Sequence, residues 1–170
     1  SRGSWGQRPG RRVRRPRLQP RVVDRAADGE VVEASVAGRR EAEERVRWHL
    51  GQGHLVALVS GSTKFVLDPL AEHLGVKHLL CTQLEAIEGV FTGRVVRPIC
   101  FGEGKIYWIQ QLIERELLDL ARCWFYTDSI TDLPLLDLVG HPVIVNPDPL
   151  LYRKALQRHW PVRFFQRPSR

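Results

Sequence analysis

The chain has 170 residues, which suits one domain with extra segments, and its apolar fraction of 43% is ordinary for a globular protein. No run approaches the roughly 18 apolar residues that a membrane-spanning helix needs, and no signal-peptide pattern opens the sequence. We therefore expect a cytoplasmic protein without a membrane span. The cysteines Cys81, Cys100 and Cys123 have no CxxC spacing, which disfavours a disulfide framework.

The net charge of +7 is concentrated near the N-terminus. Residues 1–40 contain 11 arginines and four acidic residues, whereas residues 41–170 contain 15 basic and 15 acidic residues. Residues 1–20 are rich in Arg, Gly and Pro and have little apolar surface to bury, so we predict that they are disordered. The sequence therefore divides into an Arg-rich, disordered or non-native segment, residues 1–38, and an α/β core, residues 39–170.

Apolar periodicity over most of the chain predicts strands that alternate with helices, which favours a parallel sheet covered on both faces. The valines of residues 21–37 show no clean period and do not distinguish a strand from a helix. The predicted strands are 55–59, 78–81, 123–127, 142–145 and 162–165, with a hairpin within 84–100. The predicted helices are 40–51, one from Ser62 or Thr63 to Gly75, 105–117, 132–139 and 150–159. The inward-facing residues expected of the second and third helices are Phe65, Val66, Leu70 and Leu74, and Ile106, Ile109, Leu112, Ile113 and Leu117.

Polar side chains follow two of the predicted strands. Ser60 and Gly61 follow the first strand, and Asp128 and Asp132 follow the strand of residues 123–127. In open α/β sheets the ligand binds outside the carboxyl ends of the strands. If both strands are parallel, these side chains therefore lie at one edge of the sheet.

The residue types at this edge fit a phosphate and a magnesium ion. A hydroxyl and a glycine before a helix, here Ser60 and Gly61, can donate to a phosphate, and two carboxylates can supply oxygen ligands for Mg²⁺. Lys105, which follows a Gly-Glu-Gly loop, can neutralise phosphate charge. Taken singly, these residues are also typical of a turn, a helix N-cap and a solvated lysine. Their combination favours the site.

Three motifs resemble, in order, the second, third and fourth motifs of the haloacid dehalogenase (HAD) superfamily. They are LVSGS at 58–62, GEGK at 102–105 and YTDSITDLPLL at 126–136. EGVFTG at 88–93 and GHPVIVNPDPLL at 140–151 are similar to the phosphoserine-phosphatase-like branch, subfamily IB. The resemblance implies a Rossmann-like parallel core with a small β-hairpin insertion, incomplete at its N-terminus. It also implies a Mg²⁺-dependent phosphomonoester hydrolase acting on a small phosphorylated metabolite.

The resemblance assigns a role to each candidate residue. Ser60 binds the transferring phosphoryl group, helped by the N–H of Gly61. Lys105 binds the same group and stabilises the aspartyl-phosphate. Asp128 coordinates Mg²⁺, and Asp132 supports the metal site.

The sequence departs from the family pattern in two places. Thr131 stands where phosphoserine phosphatases commonly have Asn, which argues against phosphoserine as the substrate. The N-terminal DxDx(T/V) motif, which supplies the nucleophile and the acid/base, is not found, and the helical cap is largely absent. In the nearest approach, Asp24 and Asp28 are four residues apart rather than two.

Three explanations of the missing motif stay open: a fragment whose N-terminus is not native sequence, a degenerate pseudo-enzyme, or Asp24 or Asp28 as a substitute nucleophile. We expect little or no turnover from the chain as given. An alternative function is a non-catalytic α/β domain with an Arg-rich tail that binds nucleic acid or an anionic surface. Base stacking needs aromatic side chains among the basic ones, and only Trp5 supplies one, so nucleic acid is not the expected partner.

Overall fold

The computed structural model describes residues 29–33 and 40–166. The predicted disorder of residues 1–20, and both Asp24 and Asp28, lie outside these residues. No helix in the described part of the chain is long and apolar enough to cross a bilayer. The strands are β1 Gly29–Glu33, β2 Leu55–Thr63, β3 His78–Thr82, β4 Leu84–Ile87, β5 Val90–Val95, β6 Cys123–Thr127, β7 His141–Val145 and β8 Val162–Arg163. The helices are α1 Arg40–Gly51, α2 Lys64–Leu74, α3 Glu103–Glu116, α4 Leu133–Leu136 and α5 Pro149–Gln157.

Six strands form one parallel sheet in the order β3-β2-β1-β6-β7-β8. β4 and β5 form a separate antiparallel hairpin. The predicted fold class, a Rossmann-like α/β core with a small hairpin, is confirmed. Because all six strands run the same way, the carboxyl ends of β2 and β6 lie at the same edge of the sheet, on either side of β1.

Strand β1 occupies the centre of the sheet, between β2 and β6. Val32 pairs with Leu58 on one side and with Tyr126 on the other. This strand was not predicted, since the valines of residues 21–37 show no clean period. Val31 and Val32 are both buried, one on each face of the sheet, and a short strand buried on both faces has no polar–apolar alternation to detect.

Helices cover both faces of the sheet, as the alternating pattern predicts. Helices α3, α4 and α5 pack on one face, where Ile109, Leu135 and Leu151 join the core around Phe125. Helices α1 and α2 pack on the other face around Leu58.

The inward face predicted for α2 is wrong in part. Its buried residues are Leu67, Ala71 and Leu74, whereas Phe65 and Val66 are 63% and 66% exposed. The spacing of the buried three defines one helical stripe, and the first two apolar residues of the helix fall outside it. When apolar residues occur on several sides of a helix, the sequence alone does not show which of them form the buried stripe.

Two other helices end earlier in the chain than predicted. Leu117, expected on the buried face of α3, is 59% exposed because the helix ends at Glu116 and Leu117 adopts a left-handed cap conformation. The helix predicted over 132–139 is a 3-10 turn, Ile130–Asp132, followed by the four-residue α4.

Candidate phosphate and metal site

A cavity of about 500 Å³ lies at the carboxyl edge of the sheet, beside β2, β6 and the start of α3. Four of the five predicted site residues line it: Ser60, Gly61, Lys105 and Asp128. The fifth, Asp132, is 1% exposed and lies behind Lys105. The structure therefore brings all five residues together, as the parallel-strand argument predicts.

Ser60 lies in the last part of β2 and is 7% exposed. Its Oγ accepts a hydrogen bond of 3.1 Å from the N–H of Ser62, so the hydroxyl organises the turn that leads into α2. A serine hydroxyl that accepts one bond can still donate its own hydrogen to an anion. The turn role and the phosphate role that the sequence suggested are therefore compatible.

Lys105 lies in the first turn of α3, and only 3% of it is exposed. Its Nζ donates to Oδ1 of Asp132 at 2.7 Å and to Oδ2 at 3.0 Å. The Gly-Glu-Gly loop permits this placement because a β-carbon on Gly104 would lie 1.9 Å from the carbonyl oxygen of Ile99. Only glycine fits so close to another backbone segment.

Thr127, the last residue of β6, is fully buried and completes this arrangement. Its Oγ1 donates to Oδ2 of Asp132 at 2.7 Å and accepts from the N–H of Ser129 at 3.1 Å. Thr127 was not among the residues predicted for the site. Its only signal was its position, directly before Asp128 in the fourth motif.

The two aspartates of this motif differ in what they contact. Both carboxylate oxygens of Asp132 accept hydrogen bonds from Lys105 or Thr127, whereas the side chain of Asp128 borders the cavity. No cluster of three or more His, Cys, Asp or Glu side chains able to hold a metal occurs among residues 29–33 and 40–166. Magnesium is often bound by one or two carboxylates together with water and substrate phosphate. Asp128 therefore fits Mg²⁺ that is bound together with a phosphate.

A second cavity, of about 720 Å³, lies between α1 and strands β6 to β8, and no predicted site residue lines it. Next to it, Nδ1 of His49 lies 2.8 Å from Nδ1 of His54, and the ring of Trp124 contacts both imidazoles. Burial, and then the nearby His54 and Arg45, lower the pKa of His49 to about 4. This histidine is neutral at physiological pH.

Comparison with known proteins points to one family. The family model described as haloacid dehalogenase-like hydrolase matches residues 7–137. A probable phosphatase of Mycobacterium tuberculosis is 41% identical over 128 residues, which are 75% of this chain and 44% of that protein. A histidinol-phosphatase of Neisseria meningitidis is 37% identical over 125 residues, covering 71% of this chain and 56% of that protein.

A crystal structure shows the same likeness in three dimensions. A protein of unknown function from Bordetella pertussis is 39% identical, with a TM-score of 0.67 over 72% of this chain and 56% of the other. The chain thus spans about half the length, or less, of the relatives it matches. The family model covers well over half of the chain. The chain belongs to the haloacid dehalogenase-like hydrolase family.

Proposed function

We propose that this chain carries the phosphate- and Mg²⁺-binding part of a phosphatase of subfamily IB, which acts on a small phosphorylated metabolite in the cytoplasm. The observation that supports this most is the single cavity lined by Ser60, Lys105 and Asp128. Relatives named as phosphatases support the same reaction class. A phosphomonoester is the class of substrate that such donors and a metal-binding carboxylate would suit.

Each residue has a distinct part in this proposal. The hydroxyl of Ser60 and the N–H of Gly61 donate to oxygens of the phosphoryl group. The ammonium of Lys105 balances the charge that develops on that group, and Asp132 holds Lys105 in place. Asp128 holds Mg²⁺, which when bound neutralises charge on the phosphoryl oxygens.

We also propose that the chain as given binds phosphate without turning over a phosphomonoester. Its sequence contains no DxD, so the carboxylate that attacks phosphorus has no clear candidate, and Asp24 and Asp28 are the substitutes to test. Loss of a nucleophile that acts as one unit with its partners costs on the order of 10⁴ or more in rate. The predicted boundary between residues 1–38 and the core, residues 39–170, does not hold at β1, because Gly29–Glu33 form the central strand of the core sheet.

Two measurements on the purified 170-residue chain test these proposals. Binding of inorganic phosphate, followed by calorimetry with and without Mg²⁺, should depend on the metal and weaken at least tenfold in Asp128→Asn. Asp148→Asn is the matched control, because Asp148 caps α5 and lies outside the cavity. If the affinity for phosphate changes neither when Mg²⁺ is removed nor in Asp128→Asn, the proposed site is refuted.

Phosphate release from a generic phosphomonoester tests the missing nucleophile. We expect no Mg²⁺-dependent release above background. Robust release that disappears in Asp24→Asn or Asp28→Asn would show instead that the N-terminal segment supplies the nucleophile.

A further inference from the structure

One wall of the cavity is apolar. Ile99 and Phe101 are the apolar residues that line it, and they are 37% and 54% exposed. A β-carbon built on Gly61 would lie 3.6 Å from Cδ2 of Phe101, so the ring lies directly against the turn that contains Ser60. An exposed aromatic ring therefore adjoins the proposed phosphate-binding atoms.

Another pair of exposed aromatic side chains belongs to α2 and to the hairpin. Phe65, which follows the turn closely in sequence, is 63% exposed. Its ring makes an edge-to-face contact with Phe91 of the hairpin, with ring centroids 5.8 Å apart, and Phe91 is 56% exposed. Single exposed apolar side chains are common on proteins, but exposed apolar residues that line a polar cavity, here Ile99 and Phe101, are typical of a binding site.

The charges of the cavity are limited to two side chains. Among the described residues that line it, only Lys105 and Asp128 are charged, and the proposed function assigns them to the phosphate and the metal. A leaving group like that of phosphoserine carries an ammonium and a carboxylate, and both need charged or hydrogen-bonding partners when they leave water. The remaining lining offers hydroxyl groups and the apolar wall.

The size of the cavity leaves room for a leaving group. A volume of about 500 Å³ lies within the range of small-molecule sites, about 300–1,000 Å³. A phosphate alone would leave much of this space to water. Ile99 and Phe101 are the apolar residues that border this space.

We propose that the substrate is a phosphomonoester whose leaving group presents an aromatic ring, or another flat apolar face, to Ile99 and Phe101. This inference rests on the proposed function, because it takes the phosphate position from Ser60, Lys105 and Asp128. Aromatic rings prefer edge-to-face or offset contacts, and Phe101 is exposed enough to make one. A substrate that makes such a contact should bind about tenfold more tightly than one whose leaving group does not cover the ring of Phe101.

The experiment compares three probes on the 170-residue chain with Mg²⁺: inorganic phosphate, phenyl phosphate and O-phosphoserine. Dissociation constants are measured by ligand-observed NMR, and displacement by inorganic phosphate shows that the probes share a site. Phenyl phosphate should bind about tenfold more tightly than O-phosphoserine, and saturation should transfer from the protein to its ring. In Phe101→Ala the ratio of the two affinities should fall to about one, and Phe101→Leu should give an intermediate ratio.

Phe164→Ala is the matched control, since Phe164 is 69% exposed and does not line the cavity. It should keep the wild-type ratio. If inorganic phosphate binds but phenyl phosphate binds no more tightly than O-phosphoserine, the proposed function stands and this inference is overturned. An unchanged ratio in Phe101→Ala also overturns it. If none of the three probes binds, the proposed function and this inference both fail.

Discussion

The Nζ atom of Lys105 lies 2.7 Å from Oδ1 of Asp132, and neither side chain is more than 4% exposed. This ion pair joins the start of α3 to the segment that follows β6. It therefore fixes two sides of the cavity relative to each other. A buried charge is tolerated only with a partner, so each residue makes the position of the other possible.

Asp132→Asn should destabilise the fold strongly. The variant removes the negative charge that Lys105 contacts at 2.7 and 3.0 Å, and breaking a buried pair in this way costs about 3–5 kcal/mol. The free energy of unfolding, measured by urea denaturation at neutral pH, should fall by about this amount.

Asp68→Asn is the control for that measurement. Asp68 pairs with Lys64 at 2.5 Å, but this pair is largely exposed and should contribute less than about 1 kcal/mol. If the two variants lose the same free energy of unfolding, burial does not determine how much the Lys105–Asp132 pair contributes to stability.

Gly104→Ala should disrupt the start of α3. The added β-carbon would lie 1.9 Å from the carbonyl oxygen of Ile99, and this backbone cannot rotate away as a side chain could. We expect a loss of at least about 2 kcal/mol in unfolding free energy and weaker phosphate binding, because Lys105 is the next residue.

Gly51→Ala serves as the comparison. Nothing lies within 4 Å of a β-carbon at Gly51, the last residue of α1, so the change should be below about 1 kcal/mol. Similar losses for the two variants would show that glycine is required at position 104 for some reason other than this close approach.

The stability of the fold should decrease as the pH falls from about 6.5 towards 4. His49 is fully buried, and its pKa is lowered from 6.5 to about 4, first by burial and then by His54 and Arg45. In this pH range the unfolded chain binds a proton at His49 that the folded chain does not, so stability rises with pH. The effect amounts to about 3 kcal/mol across the range.

His49→Gln removes this titration, so the difference between variant and wild type isolates it from the carboxylates. Unfolding free energies measured at half-unit steps from pH 4 to 7 should show a smaller slope in His49→Gln than in the wild type. A wild-type slope in His49→Gln would contradict the prediction.

Much of this architecture could be predicted from sequence because the elements that carry the site have strong local signals. The strand at Cys123–Thr127 was predicted with its observed ends, and Asp128 follows it directly. Strand β1 was missed because its residues face apolar neighbours on both sides. A strand of this kind is identified by its neighbours in space, β2 and β6, and these are far from it in sequence.

The apolar wall of the cavity was missed for a similar reason. Ile99 and Phe101 precede the Gly-Glu-Gly loop, and apolar residues in that position are usually interpreted as core. Only the fold shows that Phe101 lies against Gly61, 40 positions earlier in the chain. Sequence spacing predicts which polar residues meet at a sheet edge, but not which loop side chains lie beside them.

Thr127→Val should damage both the stability and the phosphate affinity of the chain. The hydroxyl of Thr127 donates to Oδ2 of Asp132 at 2.7 Å and accepts from the N–H of Ser129 at 3.1 Å. Valine has nearly the same shape, so the variant removes these two hydrogen bonds and little else. Leaving buried polar partners unsatisfied costs about 1–3 kcal/mol. Because Asp132 holds Lys105, the Mg²⁺-dependent affinity for inorganic phosphate should also fall, while Thr127→Ser, which keeps the hydroxyl, should restore most of it.

Urea denaturation and calorimetric phosphate titration of Thr127→Val, Thr127→Ser and Thr92→Val would separate the hydroxyl from the methyl group. Thr92 is exposed, and its Oγ1 donates to Glu85 at 2.6 Å. Because water can replace the lost partner there, Thr92→Val should cost less than about 1 kcal/mol. If the serine variant loses as much phosphate affinity as the valine variant, the hydrogen bonds of Thr127 alone do not hold the site, and its methyl group contributes as much as its hydroxyl. If both variants bind phosphate as the wild type does, the connection from Thr127 through Asp132 to Lys105 has no part in binding.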